Sequence, residues 1–338
     1  MSEPVLVEVT RGGIVESAHR GTLVVADADG RIVAALGDGE RRAFPRSAVK
    51  ALQALVLMES GAADRFGLDD ADIALACASH SGEEVHATQA LSMLKKAGQT
   101  ATCLECGAHW PMREEAARAL AAAGRKPSAL HNNCSGKHAG FICAAVTMGE
   151  DPKGYVRPDH PLQRAVTAAL ETSLGLDLSD APRGVDGCSI PTYAVPLAAL
   201  ARGFARFGTG MGYGRERARA AARIRQAVAA APFMVAGSNR FDTTIMRALG
   251  QRAFVKTGAE GVYCAALPEQ GLGIALKIDD GAKRASAAVM ASLIAACLPL
   301  DAAQGTVVAA AMDTPLVNWN GIEVGRVRPS AAVRALSV

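Results

Sequence analysis

A chain of 338 residues exceeds the size at which one hydrophobic core ordinarily suffices, so a large two-lobed unit or two domains is expected. Half of it is hydrophobic and only 4% aromatic, with Ala and Gly abundant, a composition of closely packed helices rather than of an aromatic-rich sandwich. The formal charge of +3 is spread along the chain without a basic block, which excludes an electrostatic case for nucleic acid or membrane as partner and leaves a small polar substrate.

In chain order, "VLVEVT", "GIVES" and "TLVVADADGRIVAAL" read as short strands broken by Gly-Gly and Asp-Gly, that is, as consecutive antiparallel hairpins. "AVKALQALVLMESG" follows as one buried helix with Pro45 and Ser47 near its start and Gly61 at its end. "DIALACAS" is a short buried stretch whose end delivers Ser79, and "GEEVHATQALSMLKKAG" is an amphipathic helix closed by Lys95, Lys96 and Gly98. The next stretches, "MREEAARALAAAG", "HPLQRAVTAALETSLG", "YAVPLAALARGFARFG" and "GRERARAAARIRQAVAAAP", are helical, and "GTGMGYG" is a loop. Strands return in "AFVKTG", "GVYCAALPE" and "GLGIALKIDDG", followed by the helix "RASAAVMASLIAACL" and a terminal strand "GIEVGRVR".

Strands at both ends thus enclose a helical middle. The expected fold is α+β, with an antiparallel sheet and its covering helices in residues 1–82 and 232–338, a mainly helical lobe in 83–231, and the active site between them. Eight cysteines without disulfide-framework spacing, no secretory pattern in "MSEPVLVEVTRGG" and no apolar run of membrane-spanning length lead to the expectation of a cytoplasmic protein.

Several residue groups can carry chemistry. In "RSAVK", Ser47 and Lys50 stand three apart at the start of a buried helix, on one helical face. A desolvated lysine loses its proton more easily and can then accept the proton of a neighbouring serine hydroxyl. "VKTGAEG" places Lys256 at a strand end, and Ser-x-x-Lys followed by Lys-Thr-Gly makes two of the three elements of the active-serine penicillin-recognising enzymes. "SHS", with Ser79, His80 and Ser81, stands where the third element would fall, without matching it.

"NNCSGKH" offers Cys134, Lys137 and His138, and "VDGCSIP" offers Asp186 and Cys188. Two thiolates from separate segments and one nitrogen donor make a tetrahedral zinc site with an open position. His138 is the more conventional nitrogen donor, and Lys137 serves if deprotonated. A competing cluster is Cys103, Cys106 and His109 in "CLECGAHW", whose spacing suits zinc better but which has no second pair of ligands nearby in sequence.

Taken together and in this order, "RSAVK", "CASHSGEE", "HNNCSGKHAG", "DGCSIPTYA" and "VKTGAEGVY" resemble the rhizobial-type L-asparaginases, also called the asparaginase II family. The resemblance implies a serine β-lactamase/glutaminase-like fold, a homodimer and hydrolysis of L-asparagine to L-aspartate and ammonia. It also implies a zinc ion on Cys134, Lys137 and Cys188, and two Ser-Lys pairs, Ser47 with Lys50 and Ser79 with Lys256. Arg46, His138 and Asp186 adjoin these motifs and are expected to bind substrate. The mechanism expected on this basis is acyl transfer from Ser47, with glutaminase or β-lactamase-like acyl-serine hydrolysis as the alternative.

Overall fold

The structure, a computed structural model, describes residues 3–338. The two ends of the chain build an eight-stranded antiparallel sheet. Its strands are β1 (Val5–Arg11), β2 (Ile14–Asp27), β3 (Ile32–Leu36), β4 (Phe254–Thr257), β5 (Val262–Leu267), β6 (Leu272–Ile278), β7 (Thr314–Val317) and β8 (Glu323–Pro329). Their order is β7-β8-β1-β2-β6-β5-β4, with β3 also paired to β2. The Gly-Gly turn expected between β1 and β2 forms: Arg11 pairs with Ile14, and Gly12 and Gly13 take φ of 54° and 85°, which a two-residue hairpin turn of this hand requires. β2 and β6 are zipped from Leu272 opposite Asp27 to Ile278 opposite Gly21, so the N-terminal and C-terminal parts of the sheet are one structure.

All six residues of β5 are buried. Because alternate side chains of a strand point to opposite faces, both faces of the sheet are covered there. The helices Leu197–Thr209 and Lys283–Cys297 both pack on β5 and β6. Leu197–Thr209 can lie this close because Gly273 has no side chain: a Cβ there would stand 2.0 Å from the Ala201 carbonyl oxygen. The α+β class, an antiparallel sheet flanked by helices together with a helical part, is therefore as the sequence predicts.

Two compact units divide the chain. One comprises the chain up to Ala48, Ala194–Gly212 and Ala248–Val338, and holds the sheet; the other comprises Val49–Tyr193 and Tyr213–Arg247, and is mainly helical. This division falls elsewhere than at 82 and 232. Residues 49–82 and 232–247 pack among helices, since Leu55–Glu59 and Asp70–Ala76 both lie on the helix Arg215–Ala230. Residues 194–212, in turn, supply the helix that covers β5 and β6.

The helical unit is organised on Ser135–Thr147, whose residues from Ser135 to Ala145 are all buried. A helix buried all round needs small residues where neighbours cross it. Gly136 lies directly on Leu75, where a Cβ would come 2.3 Å from Leu75 Cγ and 2.4 Å from its carbonyl oxygen, and Gly140 lies on Ala76. Other helices carry the expected end signals. Pro161–Leu174 starts on the side chain of His160, which accepts the Leu162 N–H at 3.1 Å, and stops at Gly175 with φ of 63°.

Two expectations fail locally. The stretch from Ala48 to Gly61 is not one helix: the end of a 3₁₀ turn, Arg46–Val49, is followed by the short helices Lys50–Gln53 and Leu55–Glu59. The joint is at Ala54, whose carbonyl takes the Leu57 N–H in an i→i+3 bond. The sequence reading also passes over the helix Ala302–Met312 and the edge strand β7. Pro315 disguises β7, since proline is tolerated only at sheet edges.

Candidate active site

Five side chains converge inside the helical unit. Lys50, at the start of its helix, is 1% exposed and reaches the Ala78 carbonyl at 2.5 Å, Ser79 Oγ at 2.9 Å and Cys134 Sγ at 3.1 Å. The close crossing at Gly136 makes this meeting possible, because it lays the chain leaving Leu75 against the N-terminus of Ser135–Thr147. The Ser79 loop is then held by backbone bonds, Ser79 N–H to Val235 C=O at 2.9 Å and His80 N–H to Asn133 C=O at 3.2 Å. Cys134 precedes the helix, its N–H bonded to Asn132 Oδ1 at 2.8 Å.

Lys137, one turn into that helix, is 2% exposed and donates to Cys188 Sγ at 3.0 Å. Cys188 is delivered by a tight turn in which the Ser189 N–H bonds the Asp186 carbonyl at 2.8 Å and Ser189 takes the left-handed φ of 75°. A non-glycine residue held there is strained, as turns at functional sites often are. Asp186 itself is largely buried, with its Oδ1 on the Gly187 N–H.

Electrostatics couples the two thiols and the two lysines. The Cys134 thiol is held well below the ordinary thiol range, first by a hydrogen bond from Cys188 and then, against burial, by Lys50 and Lys137. Cys188 moves the other way, pushed up by Cys134 and by burial. Of the two thiols, Cys134 is therefore the one that loses its proton first. Burial works against the Lys137 ammonium, but Cys188 and Cys134 outweigh it and raise its pKa.

A second ring of partners surrounds these groups. His138 Nδ1 is 2.6 Å from the hydroxyl of Tyr155, which also takes the Glu105 N–H at 3.0 Å. The His138 ring is pushed well below its usual pKa by burial, with Lys137 and Lys50 adding to the effect. His80 accepts the Gly82 N–H at Nδ1 and therefore donates from Nε2 to Ser135 Oγ, 2.9 Å away, tying the Ser79 loop to the helix start. His80 was visible in "SHS", but the sequence offers no signal for Tyr155.

The remaining expected residues belong to the sheet unit. Lys256, on β4, is fully buried and donates to the Thr257 carbonyl at 2.8 Å. Arg46 has φ of 47° and lies 4.0 Å from Glu260, and Ser47 follows it, partly exposed. Gly258 of the Lys-Thr-Gly turn abuts Pro45, its absent Cβ only 2.9 Å from the Pro45 carbonyl, so both motifs are neighbours within that unit. The serine that Lys50 touches in the helical unit is Ser79.

The competing cluster does not assemble. Cys103 Sγ donates to Gln99 Oε1 at 3.1 Å, Cys106 Sγ to the Ala129 carbonyl at 3.6 Å, and His109 is taken at Nδ1 by the Trp110 carbonyl and at Nε2 by the Asn133 N–H. Among the described residues no group of three His, Cys, Asp or Glu side chains is disposed to hold a metal ion. The set Cys134, Cys188 and Lys137 has a lysine as third donor. It fits a thiophilic divalent cation by its chemistry: two sulfurs, one of them with its pKa held low, and a lysine nitrogen 3.0 Å from the other, none more than 4% exposed.

The family model described as L-asparaginase II matches residues 7–329. No curated protein matches the chain. Among solved structures, a β-lactamase from Mycobacterium bovis is similar with a TM-score of 0.39 and 14% identity, over 86% of this chain and 95% of that one. A D-alanine carboxypeptidase from Burkholderia cenocepacia is similar with a TM-score of 0.38 and 15% identity, over 79% of this chain and 90% of that one. A simvastatin synthase mutant from Aspergillus terreus is similar with a TM-score of 0.39 and 11% identity, over 77% and 86%.

Proposed function

The chain belongs to the L-asparaginase II family and is an L-asparagine amidohydrolase, and we propose that it works by Ser-Lys acyl transfer beside a zinc ion, as in the rhizobial-type enzymes it resembles. The observation that carries this reading is the placement of Lys50 Nζ at 2.9 Å from Ser79 Oγ and 3.1 Å from Cys134 Sγ, which joins the Ser-Lys system to the thiol pair. Ser47, three residues before Lys50 in the chain, attacks the side-chain amide carbon and gives its proton to Lys50. The carbon–nitrogen bond breaks, and Ser79, with Lys256, relays the proton that lets ammonia leave. Water then hydrolyses the ester on Ser47 and releases aspartate.

Arg46 pairs with the α-carboxylate of the substrate and Asp186 with its α-ammonium. His138 supplies a hydrogen-bond donor. Cys134, Lys137 and Cys188 would hold the zinc, which when bound would supply a Lewis acid at the substrate. Homodimeric assembly and a cytoplasmic location belong to the same proposal. They rest on the resemblance and on eight cysteines that are all free. No helix among the described residues is long and apolar enough to cross a membrane.

The Lys50–Ser79 contact favours a second assignment, in which Ser79 is the nucleophile and Lys50 its base. An electrophilic asparagine analogue followed by peptide mapping separates the two, since the label falls on Ser47 or on Ser79. The whole reading is tested by measuring ammonia from asparagine and from glutamine on a sample of known zinc content. Release from asparagine that Ser47→Ala or Ser79→Ala abolishes is expected. Full activity in both serine variants, with none in Cys134→Ala, would replace acyl transfer by a metal-hydroxide or thiol mechanism.

A further inference from the structure

His138 is completely buried, yet its Nε2 has no hydrogen-bond partner. Its other nitrogen is well anchored. The Tyr155 hydroxyl lies 2.6 Å from Nδ1 and is 3.0 Å from the Glu105 N–H, a group that can only donate. The phenolic oxygen therefore accepts from Glu105, and its single proton has one acceptor within reach, His138 Nδ1. Were Nδ1 the donor instead, the O–H of a fully buried tyrosine would be left without an acceptor, the costlier arrangement.

The anchor is itself held in place. Glu105 Oε1 takes the Gly154 N–H at 2.7 Å, so the two segments meet through a double clasp, and the Tyr155 ring stands edge-on to His138 with centroids 5.4 Å apart. A neutral imidazole that accepts at Nδ1 carries its proton on Nε2. That N–H belongs to the residue after Lys137, in a helix whose residues from Ser135 to Ala145 are all buried, and an unpaired N–H in such a place is a donor waiting for an acceptor.

We propose that Tyr155 is a positioning residue: it fixes His138 as the Nε2–H tautomer and so presents a preformed donor to an acceptor oxygen of the bound substrate. This rests on the reading of the cluster as the asparagine site.

The proposal is tested first without any turnover, by the ¹⁵N shifts of histidine-labelled protein, with His138→Gln identifying the His138 signal among the seven histidines. The expected result is a neutral ring protonated at Nε2 in the wild type and a changed or mixed tautomer in Tyr155→Phe. A proton on Nδ1 in the wild type overturns the proposal. Kinetics then tests the link to catalysis: Tyr155→Phe lowers kcat for asparagine on the order of tenfold with KM little changed, the scale of one hydrogen bond. In the His138→Gln background the same change has no further effect, because it acts through His138 alone. Multiplicative losses in the double variant overturn the positioning role. A wild type with the expected tautomer but no ammonia release from asparagine leaves the Tyr155–His138 assignment standing and removes the functional reading on which its catalytic part rests.

Discussion

Two segments of the helical unit carry thiols and an imidazole side by side, and they are used in opposite ways. In Cys103–His109 each polar group is turned to a separate local partner, and Cys106 is pushed up to about 12 by burial, so it stays a protonated, inert thiol. At the start of the helix Ser135–Thr147 the thiol is instead met by the buried Lys50 side chain, with Lys137 and a second thiol close by, and its pKa is drawn well below the ordinary range. The difference teaches that a lysine in direct contact with the sulfur, not ligand spacing, marks the reactive segment. Both thiols are buried and feel Lys50 and Lys137, but Lys50 bonds only the Cys134 sulfur, while burial dominates at Cys106.

The largest expected effect comes from breaking that set. Cys188→Ala removes one sulfur and the acceptor of the Lys137 ammonium. Zinc stoichiometry measured on the purified variant should fall to near zero, and ammonia release from asparagine should drop by about three orders of magnitude or more, as for loss of a directly acting group. Retention of wild-type zinc content would remove Cys188 from the metal set. Next comes Lys50→Met, which keeps the stem and deletes the amine. Its activity should fall on the order of 10²–10³-fold, the range for a general base, while zinc content changes little. Equal loss of zinc and activity would instead make Lys50 a support of the thiolate rather than a proton carrier.

How much of this was legible in the sequence follows from the range of the interactions involved. The Gly12–Gly13 hairpin and the helix Pro161–Leu174 were readable because their signals are local, positive φ in the first and an end-capped apolar run in the second. The run from Ala48 to Gly61 reads as one helix because its apolar positions satisfy a helical period, and nothing in its local sequence marks the break at Ala54. At the site, the residue types and their order were legible, but their partners were not. Lys50 meets a serine 29 positions away, and His138 is set by a tyrosine 17 positions away, contacts that only the crossing at Gly136 and the Glu105–Gly154 clasp bring about.

The smallest expected effect lies in the other segment, and it sharpens the comparison by what does not change. Cys103→Ser replaces a half-buried thiol whose one partner is the Gln99 side-chain oxygen, a bond that a hydroxyl can make equally well. Zinc content and activity should stay at the wild-type level, and stability within about 0.5 kcal/mol by denaturant titration, since no cavity, charge or buried unpaired group is created. The companion measurement is alkylation of chelator-treated protein at neutral pH, followed by peptide mapping. Cys134, lowered by Cys188 and the two lysines, should be modified before Cys106, which burial keeps protonated far above that pH. Faster labelling of Cys106 would mean that access, rather than the field of Lys50 and Lys137, decides which sulfur reacts.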